Sequence, residues 1–122
     1  MALLDARLIE LALDFDKNPD HAIISGYRKI ESIVRERTGL EHESSVKLFA
    51  KAFQGDDSIL CWKNLDSGEC RGRASLFSSV FMAYRNNRAH QEPRRNLGDD
   101  IREFMLINQL FILESAAVIR YA

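Results

Sequence analysis

An all-α bundle of four to five helices is the fold this sequence predicts. Two observations carry the expectation. Apolar residues recur three and four apart over long stretches, the spacing that lines one face of a helix. The breaks between those stretches fall at helix-start and helix-stop residues, among them Asn18-Pro19, Gly39 and Asp99-Asp100. At 122 residues, with 46% hydrophobic and 29% charged side chains, the chain is long enough to bury one core, so a single domain over residues 1–122 is expected.

The first helix is expected over Leu3 to Asp16. Leu4, Leu8, Leu11 and Phe15 form its stripe, which Leu3, Ile9 and Leu13 widen. Asn18 can cap a second helix and Pro19 suits its first position, where the missing N–H is not needed. That helix should run from about Asp20 to Thr38, with Ile23, Tyr27, Ile30 and Val34 inward and Gly39 as its stop. Gly26 inside it costs up to ~1 kcal/mol against alanine, which close helix packing would explain. A short third helix fits Ser45 to Phe53, with Ser44 as its cap. From Gly55 to Gly72 an irregular loop is expected. In it, Ser58 to Trp62 reads as extended, Asp66-Ser67-Gly68 as a turn, and the whole as a site for a small hairpin. The fourth helix should span about Gly72 to Asn86, with Leu76, Phe77, Val80, Phe81 and Tyr84 on a dense apolar face. The fifth runs from about Asp99 to Tyr121 and is apolar over more than half its circumference, which makes it either central or part of a dimer interface.

No apolar run is long enough to span a bilayer and the first residues carry no signal-peptide pattern, so a cytoplasmic location without membrane attachment is expected. Cys61 and Cys70 have eight residues between them and no flanking His or Cys at finger-like spacing, so neither zinc nor any other metal or cofactor is expected. Only the spacing itself argues for a disulfide. The net charge of -1 hides an asymmetry. From Arg71 to Arg95 there are six arginines and one acid, Glu92, giving +5 and leaving -6 for the rest. A local basic patch on an acidic body suits a polyanion bound at one place, or else is simply a solvated basic face. Arginine without lysine favours phosphate or carboxylate, because guanidinium binds both bidentately.

Chemistry concentrates at Tyr84 to Gln91. Here alone a guanidinium, a carboxamide and an imidazole stand together, where an apolar helix should end. On a continuous helix Arg85 and His90 would diverge by roughly 140°. They converge if Asn86-Asn87 ends the helix, since asparagine tolerates left-handed and capping conformations. Such a set suits attack by an RNA 2′-hydroxyl on its own phosphodiester: histidine moves protons, arginine clamps the phosphate and Asn86 orients either one. One chain supplies one such histidine, which is a reason to expect a symmetric dimer with a composite site. Arg37 and His42 repeat the spacing, but across a glycine stop, beside Glu41 and without the asparagine, and are discounted. Taken alone, His90 would be a surface or capping histidine. His21 reads as a surface or capping residue, Trp62 as a satellite core residue, and Asp99-Asp100 as a helix cap.

Arg85-Asn86 followed by His90 resembles the arginine–histidine signature of the HEPN superfamily, in which the polar residue after arginine is often Asn. The alanine-phenylalanine helix at Ser45 to Phe53, a variable loop, and the phenylalanine helix at Arg73 to His90 are similar to the uncharacterised Ymh-type family, whose second helix ends in Arg-Asn-Pro-x-Ala-His. The resemblance covers the chain from about Tyr27 onward and is densest at residues 76–90. It implies a HEPN-like bundle, homodimerisation, and metal-independent RNase activity in toxin–antitoxin, abortive-infection or other defence systems, with an antitoxin or a larger protein as partner. Carried over, Arg85, Asn86 and His90 take the catalytic positions. Arg73, Arg88, Arg94 and Arg95 would be substrate-side charges on RNA. Asn87 replaces the family's proline, so the helix stop is less rigid. Glu92 stands where HEPN toxins silenced by AMPylation carry tyrosine, so that control is not expected. The competing expectations are a non-catalytic helical module that binds RNA or a protein, and a structural dimerisation domain.

Overall fold

The computed structural model describes residues 3–90 and 96–121, and only the backbone of Ala89 and His90. A 3₁₀ turn (Ala6–Leu8) leads into α1 (Ile9–Leu13). There follow α2 (Pro19–Thr38), α3 (Ser45–Phe53), β1 (Leu60–Cys61), α4 (Ser67–Val80), a π turn (Phe81–Arg85), α5 (Asn86–His90), α6 (Leu97–Ala116) and β2 (Val118–Ile119). Apart from the two short strands this is the helical bundle the periodicity predicts. No described helix is long and apolar enough to cross a membrane.

The second helix forms as its end signals dictate. Asn18 Oδ1 accepts from the His21 amide, Pro19 occupies the first turn, and Gly39 closes the helix at φ 74°. Ile23, Tyr27, Ile30 and Val34 are fully buried. Gly26 lies against α6, where an added Cβ would stand 3.2 Å from Ile107 Cγ2, so the glycine lets the two longest helices approach closely.

Elsewhere tertiary contacts override local signals. The first helix is shorter than expected because Asn108 of α6 captures backbone that a longer helix would use. It accepts from the Asp5 amide at 2.7 Å and donates to the Leu3 carbonyl at 2.8 Å. Leu4, Leu8, Leu11 and Phe15 still pack on the core, whereas Leu3, Ile9 and Leu13 are exposed. Ser44 makes no side-chain cap for α3; the buried Glu31 reaches from α2 and accepts from the Ser45 amide at 2.9 Å. Asp66-Ser67-Gly68 is a helix start rather than a turn, since Asp66 accepts from the Glu69 amide and α4 begins at Ser67. The extended segment near Leu60 closes no local hairpin. It pairs antiparallel with β2, Leu60 opposite Ile119 and Cys61 opposite Val118, which ends α6 at Ala116 instead of Tyr121.

The core is aromatic at its centre. Phe53 stacks on Phe77 at 4.3 Å and on Trp62 at 5.1 Å, and Phe49 meets Phe81 edge-on at 4.7 Å. Trp62 belongs to this cluster and donates its indole N–H to the Leu113 carbonyl at 2.8 Å. Glu114, also buried, joins the start of the chain to the ends of α2 and α6 by ion pairs to Arg7 at 2.6 Å and Arg37 at 2.7 Å. Arg37 is thereby committed to the fold, which disposes of the Arg37–His42 pair as a site.

Candidate functional site

The helix carrying the arginine–histidine stretch does not end at Asn86-Asn87. Asn86 is α-helical (φ -66°, ψ -39°), and the chain continues as α5 to His90. The irregularity lies one turn earlier. From Phe81 to Arg85 the backbone is a π turn, closed by the Asn86 amide donating to the Phe81 carbonyl five residues back. Such turns take in one extra residue and are found mostly inside α-helices, often at functional sites. The extra residue changes the phase of the helix. Tyr84, which continues the Phe77–Phe81 stripe on α spacing, is turned out to 43% exposure, and Arg85 is half-buried in its stead.

Within one chain, positions 86 and 90 stand one helical turn apart on a common face, while 85 and 90 remain about 140° apart. The stop that was to bring Arg85 and His90 together is therefore absent. The His90 side chain, and Arg94 and Arg95 altogether, lie outside the described residues. Asn86 and Asn87 are exposed. Among the described residues Arg85 makes no hydrogen bond or ion pair. Arg73 lies about three turns back, with its guanidinium 5.9 Å above the Trp62 ring, and does not join Arg85.

Arg88, expected as a substrate-side charge, is instead the most thoroughly enclosed cation described. Its side chain is 1% exposed and meets three carboxylates: Glu103 at 2.8 Å and 3.1 Å, Asp100 at 3.1 Å and Asp20 at 2.5 Å. Asp20 and Asp100 stand in the first turns of α2 and α6, where the helix dipole favours negative charge. Arg88 thus fastens α5 to the starts of both long helices. Burial pulls its pKa down, but Glu103, Asp20 and Asp100 outweigh that and hold it above the ordinary arginine value. Asp100 is accordingly more than a helix cap, and the cap itself is Asn96, which accepts from the Asp99 amide at 2.8 Å. Sequence offered one faint signal of the network: Arg88 falls four residues after Tyr84, where a continuing apolar stripe would place a hydrophobe.

Glu103 also accepts from the buried Tyr27 hydroxyl at 2.6 Å. Burial first, then this bond to a carboxylate, push the Tyr27 phenol well above its ordinary value. The raised pKa sets the sign of a pH effect. The contribution of Tyr27 to stability is fully present below the unfolded value of about 10 and is lost as pH rises above it. Urea unfolding at pH 8 and pH 11 should show a larger loss for the parent than for Tyr27→Phe, which cannot ionise. Equal losses would exclude the phenol as the cause.

Beside this network an open groove of about 690 Å³ runs between the π turn and α6, walled by Tyr84, Asn87, Ile101, Arg102, Met105 and Leu106. Ile101 and Met105 are 46% and 39% exposed, so α6 is central on one face and uncovered on the other. A family model described as "Protein of unknown function (Hypoth_ymh)" matches residues 9–112, which takes in every helix from α1 to the groove. The chain belongs to the Hypoth_Ymh family. Comparison with curated proteins and with solved structures gives no match. The matched region of this Ymh chain includes the π turn, the Arg88 network and the Arg85-Asn86 pair.

Proposed function

We propose that this Ymh chain is a metal-independent endoribonuclease of HEPN type, built on a HEPN-like bundle. It would work in the cytoplasm as part of a toxin–antitoxin, abortive-infection or other defence system. The observation that carries the reading is Arg85. It is half-buried on a π turn immediately before Asn86, and makes no hydrogen bond or ion pair among the described residues, whereas Arg7, Arg37 and Arg88 are each held by carboxylates. A guanidinium so placed suits the phosphoryl oxygens of RNA. In the proposed reaction a base takes the 2′-hydroxyl proton, that oxygen bonds to phosphorus, and the 5′-oxygen leaves with a proton from an acid. The products are a 2′,3′-cyclic phosphate and a 5′-hydroxyl. His90 is the proton carrier.

The 140° between positions 85 and 90 argues for a site shared by two copies, each offering what the other lacks. The exposed apolar wall of Tyr84, Ile101 and Met105 suits the second copy. Incubation of the purified protein with RNA in EDTA tests this. Products ending in a cyclic or 3′-phosphate are expected. A stable dimer that leaves RNA intact would favour the second reading, a non-catalytic module that binds a protein partner. The withdrawal of Arg88 into the core favours that alternative, because it removes one charge from the basic segment. Binding to RNA through the remaining arginines would weaken steeply with salt, and binding to a protein through the apolar wall would not.

A further inference from the structure

A second groove, of about 700 Å³, opens where β1 and the start of α4 meet the end of the chain. Its size falls in the range of small-molecule sites. Phe53, Trp62 and Leu65 supply apolar wall, and the free thiols of Cys61 and Cys70 also line it. Three cations face it: Lys63, Arg71 and Arg120. The acids are Asp56 in the wall and Asp66 close to Arg71.

Arg120 is the telling residue. Its guanidinium donates to the Ser58 carbonyl at 2.9 Å, the Ser58 hydroxyl at 2.8 Å and the Gly55 carbonyl at 3.3 Å. Every one of these acceptors is neutral. Arg7, Arg37 and Arg88, which are held by at least as many bonds, each have a carboxylate among their partners. The fold therefore positions a half-buried cation at the groove that has no carboxylate among its hydrogen-bond partners in the described residues. Lys63 and Arg71 are exposed and make no ion pair among the described residues. A tethered guanidinium, two exposed cations and an aromatic wall together match an anionic group attached to a ring.

We propose that this groove binds a phosphorylated ligand of nucleotide size, with the phosphate on Arg120 and the ring against the apolar wall. The site is separate from Arg85, and the inference does not depend on nuclease activity. Trp62 is the sole tryptophan and lines the groove, so its fluorescence senses a ligand there. Titration with ADP should change that fluorescence saturably, give matching heat by calorimetry, and slow modification of Cys61 and Cys70 by a thiol reagent. Arg120→Gln should weaken ADP binding at least tenfold. Because Arg120 also holds the Ser58 loop, Lys63→Ala/Arg71→Ala serves as the second variant, with both changes at exposed positions; it should weaken binding while leaving the melting temperature unchanged. Arg85→Ala should bind ADP as the parent does. The proposal is overturned by the absence of a saturable ADP response, or by parental affinity in both groove variants. Equal affinity for inorganic phosphate would reduce the groove to a plain anion site and overturn the nucleotide-sized ligand. A response to a short single-stranded RNA but not to ADP would overturn it too, and assign the groove to an RNA strand.

Discussion

Replacing Arg88 by alanine is expected to lower stability by roughly 3–5 kcal/mol, the cost typical of breaking a buried ion pair from one side. The size of the effect follows from what stays behind. Asp100 and Glu103 are nearly buried in the folded chain, and without the guanidinium they remain as unpaired charges. Asp20 is about half exposed, so it adds little. Arg88→Lys should fall between parent and alanine, because an ammonium cannot bridge three carboxylates with the planar fork of a guanidinium. Urea unfolding at pH 7 measures the difference. A loss under 1 kcal/mol at pH 7 would mean that the network behaves like a surface pair and does not anchor α5.

The second large effect concerns activity. With an RNA substrate cleaved in EDTA by the parent, Arg85→Ala is expected to lose on the order of 10²–10³ in rate, the scale of one removed transition-state charge partner. His90→Ala is expected to lose on the order of 10²–10⁴, the scale of a missing proton carrier. Arg85→Lys should retain part of the activity, since it keeps the charge but not the bidentate geometry. The stability readout separates these losses from unfolding. Arg85 makes no hydrogen bond or ion pair among the described residues, so its alanine variant should lose far less stability than the roughly 3–5 kcal/mol expected at Arg88. A mixture of Arg85→Ala and His90→Ala chains tests the shared site. If the two groups come from different copies, mixed dimers recover some activity; if each site lies within one chain, mixing recovers none. Cleavage at the parental rate by both single variants would sink the assignment.

The two predictions differ in how far sequence reaches. Arg88 and Arg85 sit in the same basic segment and look alike in it, yet one is a structural anchor and the other remains uncommitted. The difference arises from partners 68 and 12 to 15 residues away on α2 and α6, which local spacing cannot register.

The sequence by itself determined the helical class, the stretch of chain in each main helix, and the ends set by near neighbours. Asn18, Pro19 and Gly39 bound α2 because caps and left-handed stops act within a turn of the residue that makes them. The inward stripe of Ile23, Tyr27, Ile30 and Val34 was equally legible, because helical periodicity alone places it on one face. Tertiary structure alone decided the ends governed from a distance: Asn108 shortening the first helix, Glu31 standing in for Ser44, and the pairing of Leu60 with Ile119. It also decided the candidate site. The stop foreseen at Asn86-Asn87 became a π turn that ends at Arg85, because a helix whose continuation packs its next arginine among three carboxylates has no reason to end there. Short-range backbone chemistry is written in consecutive residues, whereas a buried charge network depends on which faces of distant helices meet.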